Sequence, residues 1–420
     1  TQSRSSAASD VYKRQAGGVE ISELRALLTP EGLKALDELG PVDEIADVAR
    51  IVSRLRAAGH SPELVSAVVG QARLRAKARG KFGDFAARML FTRAGLEQAT
   101  RLNVAARHAQ RLRRVGITRV ADLGCGIGGD ALAFAGAGLD VIAVDADEVT
   151  AAIAAYNLAP FGDSAVVTHG TAEAHVPADG DETQAIWMDP ARRTAGHSET
   201  RRVSSDDYSP PLDWAFDVAS RTSTGIKLGP GHDRDSLPVD AEAQWVSAEG
   251  SVVELVLWTR ALARDGIRRS ALVIRGERSH ELTAGADAED EPVRELGAFL
   301  HEPDGAVIRA RLIGDVARSL DAGMLDERIA YLTSDTALTS PFVQSFRVRE
   351  TMPANPKAIS AVLKANDVGS LEIKKRGMDI DPAAFRKKLT LRGDQAATLI
   401  LTRIGDQRRA ILADRVPAAE

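Results

Sequence analysis

Chemistry-bearing residues concentrate first in Val120-Ala-Asp-Leu-Gly-Cys-Gly-Ile-Gly-Gly-Asp130. The apolar lead-in predicts a buried strand, and Asp130 predicts the start of a helix. Glycines at 124, 126, 128 and 129 let the backbone between them turn left-handed and approach a ligand closely. Asp140-Val-Ile-Ala-Val-Asp145 is a second apolar strand ending in a carboxylate. The two frame a βαβ unit whose second acid is placed to hold a ribose hydroxyl pair. Gly124, Gly126 and Gly129 also satisfy the dinucleotide pattern, so the glycines alone leave three readings: a dinucleotide, S-adenosylmethionine, or a purely structural turn. Charge discriminates among them. A pyrophosphate is held by bare helix-terminal amides, yet Asp122 and Asp130 bracket this turn. S-adenosylmethionine carries a sulfonium and an amino group and no phosphate, so neighbouring acids attract it.

A second stretch, Gln184-Ala-Ile-Trp-Met-Asp-Pro-Ala-Arg-Arg193, carries a strand into Asp-Pro. Open α/β sheets bind ligands at that carboxyl edge. Pro190 leaves its carbonyl free and Asp189 adds a second acceptor. Two acceptors at fixed spacing hold an exocyclic amine and aim its lone pair, which is the positioning an in-line methyl transfer needs. Asp189 and Pro190 are therefore the catalytic candidates, against the alternative of an ordinary strand-ending turn. Arg192 and Arg193 suit a nucleic-acid phosphate, with an ion pair inside the loop as the rival account.

Leu96-Glu-Gln-Ala-Thr100 precedes a helix whose Val104, His108 and Leu112 share one face. That helix ends just before the glycine-turn strand and can lie across the mouth of the site. Thr100 or Gln98 is then a cofactor contact, or else a cap, and His108 reads as a helix-surface histidine. His169-Gly-Thr-Ala-Glu173 follows a third strand, where a loop edges an adenine ring, so Ala172 joins the cofactor candidates. Lys227 and His232 lie at the same predicted sheet edge as weaker candidates for a base.

The 420 residues exceed one core, and two or three domains are expected. Hydrophobic residues make up 44% and charged residues 27%, as in soluble globular proteins. A net charge of -5 excludes a global basic field, so local patches must carry any nucleic-acid binding. The single cysteine, Cys125, excludes an internal disulfide and a cysteine zinc site. No apolar run is long enough to span a membrane and no signal peptide is evident, which predicts a cytoplasmic, metal-free protein.

Residues 1–16 are small and polar and read as a non-native or disordered leader. Residues 17–115 form a helical domain: Ile45, Val48, Val52 and Leu55 recur at helical spacing, and Ser61-Pro62-Glu63 caps the next helix. Five cations fall between Arg73 and Lys81, as a solvated face or a phosphate-contacting edge. Phe82, Phe85, Met89, Leu90 and Phe91 read as core. Residues 116–280 alternate strand and helix as an α/β, Rossmann-like doubly wound sheet. Within them Ala243–Ser247 and Ala271–Ile274 read as strands and Val252–Leu262 as a helix. The acidic stretch Gly285–Glu291 reads as a linker. Residues 292–420 form an α+β domain, with one helix through Ile308, Leu312, Val316 and Leu320 and a hairpin about Gly405-Asp406. Lys374, Lys375 and Arg376 make a cationic cluster there, followed by Phe385-Arg-Lys-Lys388 and Arg392. Such clusters in an acidic chain point to an RNA-binding surface, with a solvated face as the alternative.

The glycine turn from Asp122 to Asp130, Val144-Asp145, Asn157 and Asp189-Pro190 together resemble class I S-adenosylmethionine-dependent methyltransferases. The Gly-Ile-Gly-Gly form and the Gln98-Ala-Thr100 helix are similar to the trimethylguanosine-synthase-like RNA guanine methyltransferases. This resemblance implies that Asp122, Gly124, Gly126 and Asp145 bind S-adenosyl-L-methionine and that Asp189-Pro190 holds the acceptor. The chain departs from that pattern in having Asp-Pro-Ala-Arg-Arg where the family places an aromatic. Trp214 is either a replacement aromatic from another loop or a core residue. The C-terminal half resembles a THUMP-like domain, which implies binding to structured RNA. The implied activity is methylation of an exocyclic base amine in tRNA or rRNA. A methyltransferase-fold RNA binder without activity, a methyltransferase acting on protein or a small molecule, and a nicotinamide oxidoreductase are the other readings.

Overall fold

A computed structural model of the chain describes residues 22–39, 45–177, 183–192 and 208–417, with the side chains of 45–47 and 192 outside that description. The chain separates into two compact units, Thr1–Lys227 with Thr259–Leu262, and Leu228–Trp258 with Ala263–Glu420.

The first unit includes helices α1 (Pro30–Leu39), α2 (Ile45–Ala57), α3 (Pro62–Phe82), α4 (Arg93–Gln98) and α5 (Leu102–Arg114), with residues 22–27 also helical. Ser61 caps α3 as its sequence predicts, its hydroxyl accepting the Leu64 N–H at 3.2 Å. Leu64, Val65, Val68 and Ala72 of α3 join Leu36, Phe82, Leu90 and Phe91 in one apolar core that also takes in Ile127 and Ile153. The expected aromatic core holds except at Phe85, which is exposed. Its position in a short 3-10 segment, Gly83–Arg88, turns it away from the α3 face. Part of the cationic run is structural: Arg75 is buried and donates to the Met89 carbonyl. Lys81 donates to the carbonyls of Leu96, Glu97 and Ala99, each at 2.8 Å, and so closes the C-terminus of α4.

Next come β1 (Arg119–Leu123), α6 (Gly129–Gly136), β2 (Asp140–Asp145), α7 (Glu148–Leu158), β3 (Ala165–His169) and β4 (Ala185–Met188). A short antiparallel pair, β5 (Ala191–Arg192) and β6 (Tyr208–Ser209), precedes α8 (Leu212–Arg221) and β7 (Thr224–Leu228). The sheet runs β3-β2-β1-β4-β7 with every neighbouring pair parallel. Asn157 of α7 donates to the carbonyls of Leu90 and Ile127 and accepts the Leu90 N–H, tying the N-terminal helices to the glycine turn.

In the second unit β8 (Glu242–Ala248), β9 (Ser251–Trp258), β10 (Arg269–Arg275) and β11 (Arg278–Ala284) lie in the order β11-β10-β8-β9. The helix expected over Val252–Leu262 is instead strand β9, paired antiparallel with β8. Its β-branched and aromatic residues, among them Val252, Val253, Val256 and Trp258, suit a strand. A seven-stranded sheet follows. Its members are β12 (Phe299–Pro303), β13 (Gly323–Asp326), β14 (Ile329–Ser334), β15 (Val343–Pro353), β16 (Val368–Lys375), β17 (Gln395–Ile404) and β18 (Gln407–Arg415). The predicted hairpin is β17 and β18. The helix expected through Ile308 and Leu320 is broken into α9 (Gly305–Arg309) and α10 (Ile313–Ser319). Arg311 takes a left-handed φ of 58° between them, which interrupts the helical hydrogen-bond ladder. Helices α11 (Pro356–Ala365) and α12 (Pro382–Arg386) pack Ile359, Leu363 and Phe385 against Leu399, Leu401 and Leu412. Among the described residues no helix is long and apolar enough to cross a membrane.

Candidate active site

Strand register assembles the site. Leu123 pairs with Met188, and Met188 pairs with Ile226. Parallel strands end along the same edge, so the next residues, Gly124, Asp189 and Lys227, emerge side by side. Strand order reverses between β1 and β4, which is where doubly wound sheets open a ligand crevice. Gly124 has a φ of 91°, and a Cβ there would stand 3.4 Å from the Asp189 carbonyl oxygen. Glycine thus answers both the left-handed backbone and the close approach. The Gly124 and Cys125 amides both donate to the Val144 carbonyl. Gly126 N–H donates to Asp145 Oδ2 at 2.9 Å, while Oδ1 accepts the Asp147 N–H. The acid at the end of β2, expected to hold a ribose hydroxyl pair, braces the glycine turn, and burial raises its carboxyl above the usual range.

Asp122 lies beneath this turn, 1% exposed, and neither carboxylate oxygen has a hydrogen-bond partner among the described residues. Burial, then the charges of Asp130 and Asp189, push its carboxyl well above the usual carboxylate range, opposed by Lys227. Asp130 behaves oppositely. Burial pushes it up, yet the bond and charge of His108, the charge of Lys227 and the Thr100 bond bring it below the ordinary value. Thr100 Oγ1 donates to Asp130 Oδ2 at 2.7 Å, and His108 Nδ1 lies 2.7 Å from Oδ1. Beside an ionised Asp130, Nδ1 carries the proton. Lys227 Nζ donates to Thr100 Oγ1 at 3.0 Å and forms an ion pair with Asp189. A continuous polar chain thus runs His108–Asp130–Thr100–Lys227–Asp189.

His108 corrects its sequence reading, because it is buried, with its ring centroid 4.4 Å from that of Trp187. Its face with Val104 and Leu112 is the one α5 turns inward; the apolar neighbours at helical spacing were the available signal. Lys227, a weaker candidate for a base in the sequence, pairs with Asp189 and Thr100, and Asp130, expected only to bracket the turn, is shared by Thr100 and His108. Nothing local in a lysine near the end of an apolar strand announces its ion-pair partner. Thr100 and Pro190 are buried at this edge of the molecule, and Ala172 is buried in the turn after β3. The Arg192 backbone lies in β5, and Arg193 lies outside the described residues. Lys374 and Arg376 belong to the second unit, where both pair with Glu302, at 2.6 and 3.4 Å, and Lys375 is exposed. Among the described residues no group of three or more His, Cys, Asp or Glu could hold a metal ion.

A doubly wound sheet with an acid-lined glycine turn at its switch point defines an α/β enzyme that binds a nucleoside cofactor. A buried carboxylate with no partner suits a cofactor carrying positive charge near that turn. Comparison with known proteins agrees. An uncharacterized S-adenosylmethionine-dependent methyltransferase of Mycobacterium tuberculosis, found in strains CDC 1551 and H37Rv, is 34% identical over 360 residues. That alignment covers 84% of this chain and 95% of the relative. The crystal structure of a presumptive methyltransferase from Porphyromonas gingivalis W83 shares the fold, with a TM-score of 0.69 at 21% identity over 90% of this chain and 100% of that one. Residues 343–415 match the THUMP domain-like family, and residues 20–78 match a domain of unknown function, DUF8688. The chain belongs to the S-adenosylmethionine-dependent methyltransferases, and S-adenosyl-L-methionine is its cofactor.

Proposed function

We propose that this methyltransferase acts in the cytoplasm on an exocyclic amine of a base in structured RNA, tRNA or rRNA. The observation that carries the reading is the placement of Asp189-Pro190 directly beside the glycine turn, at contact distance from Gly124. When bound, S-adenosyl-L-methionine supplies an activated methyl on a sulfonium. Asp122 would face its positive charge, Gly124 and Gly126 would admit it closely, Asp145 would take the ribose hydroxyls and Ala172 would edge the adenine, with Thr100 closing the pocket. The Asp189 carboxylate and the Pro190 carbonyl would accept the two N–H bonds of the amine and so orient its lone pair for transfer. Lys227, bonded to Asp189, holds that carboxylate in place. The side chain of Asp189 is 33% exposed, so the proton lost by the methylated amine has a route through it to water. Residues 292–420, which include the THUMP domain-like match and Lys374, Lys375 and Arg376, hold the RNA together with Arg192 and Arg193.

The test is transfer of labelled methyl to total RNA from a strain lacking the gene. Label should enter nuclease-sensitive material and fall with Asp189→Ala and Asp145→Ala. If RNA stays unlabelled while the cofactor binds, the acceptor is a protein or small molecule, or the chain is a silent binder, and the RNA assignment is wrong.

A further inference from the structure

The second unit holds a cleft of about 530 Å³ that the methyl-transfer reading does not use. Trp245 and Ile308 form part of an apolar wall, and Arg234, Arg309, Arg311 and Arg376 point into it. Among the described residues no carboxylate lines it. Arg234 is compensated by Asp287 at 2.8 Å and Arg376 by Glu302 at 3.4 Å. Arg309 and Arg311 are exposed, and neither forms an ion pair among the described residues. The break between α9 and α10 puts both in one cleft, because Arg311 leaves the helical path with its φ of 58°. In a chain of net charge -5, gathering guanidinium groups in one concavity is locally repulsive unless an anion joins them. Guanidinium forks match phosphate oxygens in pairs, and a cleft of this volume accommodates a nucleotide.

We propose that this cleft seats a nucleotide phosphate, which on the proposed function is a phosphodiester of the RNA strand. Arg376 is then a cleft residue, while Lys374 and Lys375 are its flank. The proposal rests on the RNA reading for its source of phosphate, but not for the site itself.

The experiment compares the full-length protein with its Arg309→Glu/Arg311→Glu variant. End-labelled total RNA from a strain lacking the gene is the first probe, and GMP and inorganic phosphate, followed by calorimetry, are the others. Affinity for S-adenosylmethionine, bound in the first unit, should not change and reports that the variant is folded. RNA affinity should fall about tenfold or more, and the dependence of log K on log salt should become shallower by about 1.5, since each lost phosphate contact removes about 0.7–0.9. If wild type and variant bind RNA equally with the same salt slope, the cleft proposal is overturned and the RNA reading survives. GMP binding lost in the variant, with no RNA bound by wild type, would uphold the cleft as a free-nucleotide site and sink the RNA reading. Binding of none of the three probes overturns the cleft.

Discussion

Asp122 and Glu242 are both fully buried acids, one in each unit, and their surroundings differ completely. Arg264 donates to Glu242 through Nε and Nη2 and through its own backbone N–H, and also reaches Glu281. Glu281 in turn accepts from Ser270 and Gln244. Against burial, those bonds and charges raise the guanidinium of Arg264 and lower the carboxyl of Glu281, so both ions are held charged. Asp122 has no donor among the described residues, and its carboxyl rises instead. The second unit completes its buried charge from within the chain. The first leaves one acid at the glycine turn without a donor among the described residues, and on the proposed function a positively charged ligand completes it.

Breaking the complete network should have the largest effect. Arg264→Ala removes the guanidinium from the buried Glu242 carboxylate, and unfolding in urea should show a loss of about 3–5 kcal/mol; a loss below about 1 would mean the network is not what holds that charge. The second unit also encloses a neutral histidine, His301, between Ser345 and Ser334 hydroxyls at 2.7 and 2.9 Å. Burial lowers its pKa from 6.5 to about 4. The unfolded chain therefore binds a proton between those values that the folded chain refuses, and stability declines as pH falls through this window. The decline should approach about 3 kcal/mol and be absent from His301→Asn, read from denaturation at stepped pH.

Smaller effects test the first unit. His108→Leu removes the histidine from Asp130 and should cost about 2 kcal/mol of stability. If His108 and Lys227 act through one chain, His108→Leu should also lower kcat more than it raises KM. Asp122→Asn works in the other sense, because it removes a buried carboxyl whose ionisation burial, Asp130 and Asp189 oppose. Without ligand it should stabilise by about 1 kcal/mol, and S-adenosylmethionine affinity should fall about tenfold. A variant that is less stable and binds the cofactor normally would remove the contrast on which this comparison stands.

Much of the cofactor half was legible because its signals are local. Glycines at 124 and 126 adopt the positive φ their type permits, and Asp147 caps α7 by accepting the Thr150 N–H three residues on. The acids that end β1 and β2 lie where the strand pattern put them. Val252–Leu262 misled because a short run of valines and leucines satisfies both helical and extended packing, and pairing with β8 decides between them. The Ile308–Leu320 periodicity is real on both sides of Arg311, but periodicity does not register a single residue that turns left-handed.

By itself the sequence determined the doubly wound class, the acid-lined turn, the Asp-Pro after β4 and the C-terminal hairpin, all set by interactions a few residues long. Only the tertiary structure decided that Lys227 meets Thr100, 127 residues away, and that Asp130 is shared by Thr100 and His108. Those partners follow from the order and register of parallel strands and from the face α5 turns inward. Hydrophobic periodicity says which residues of an element are buried, and it carries no record of which other element buries them.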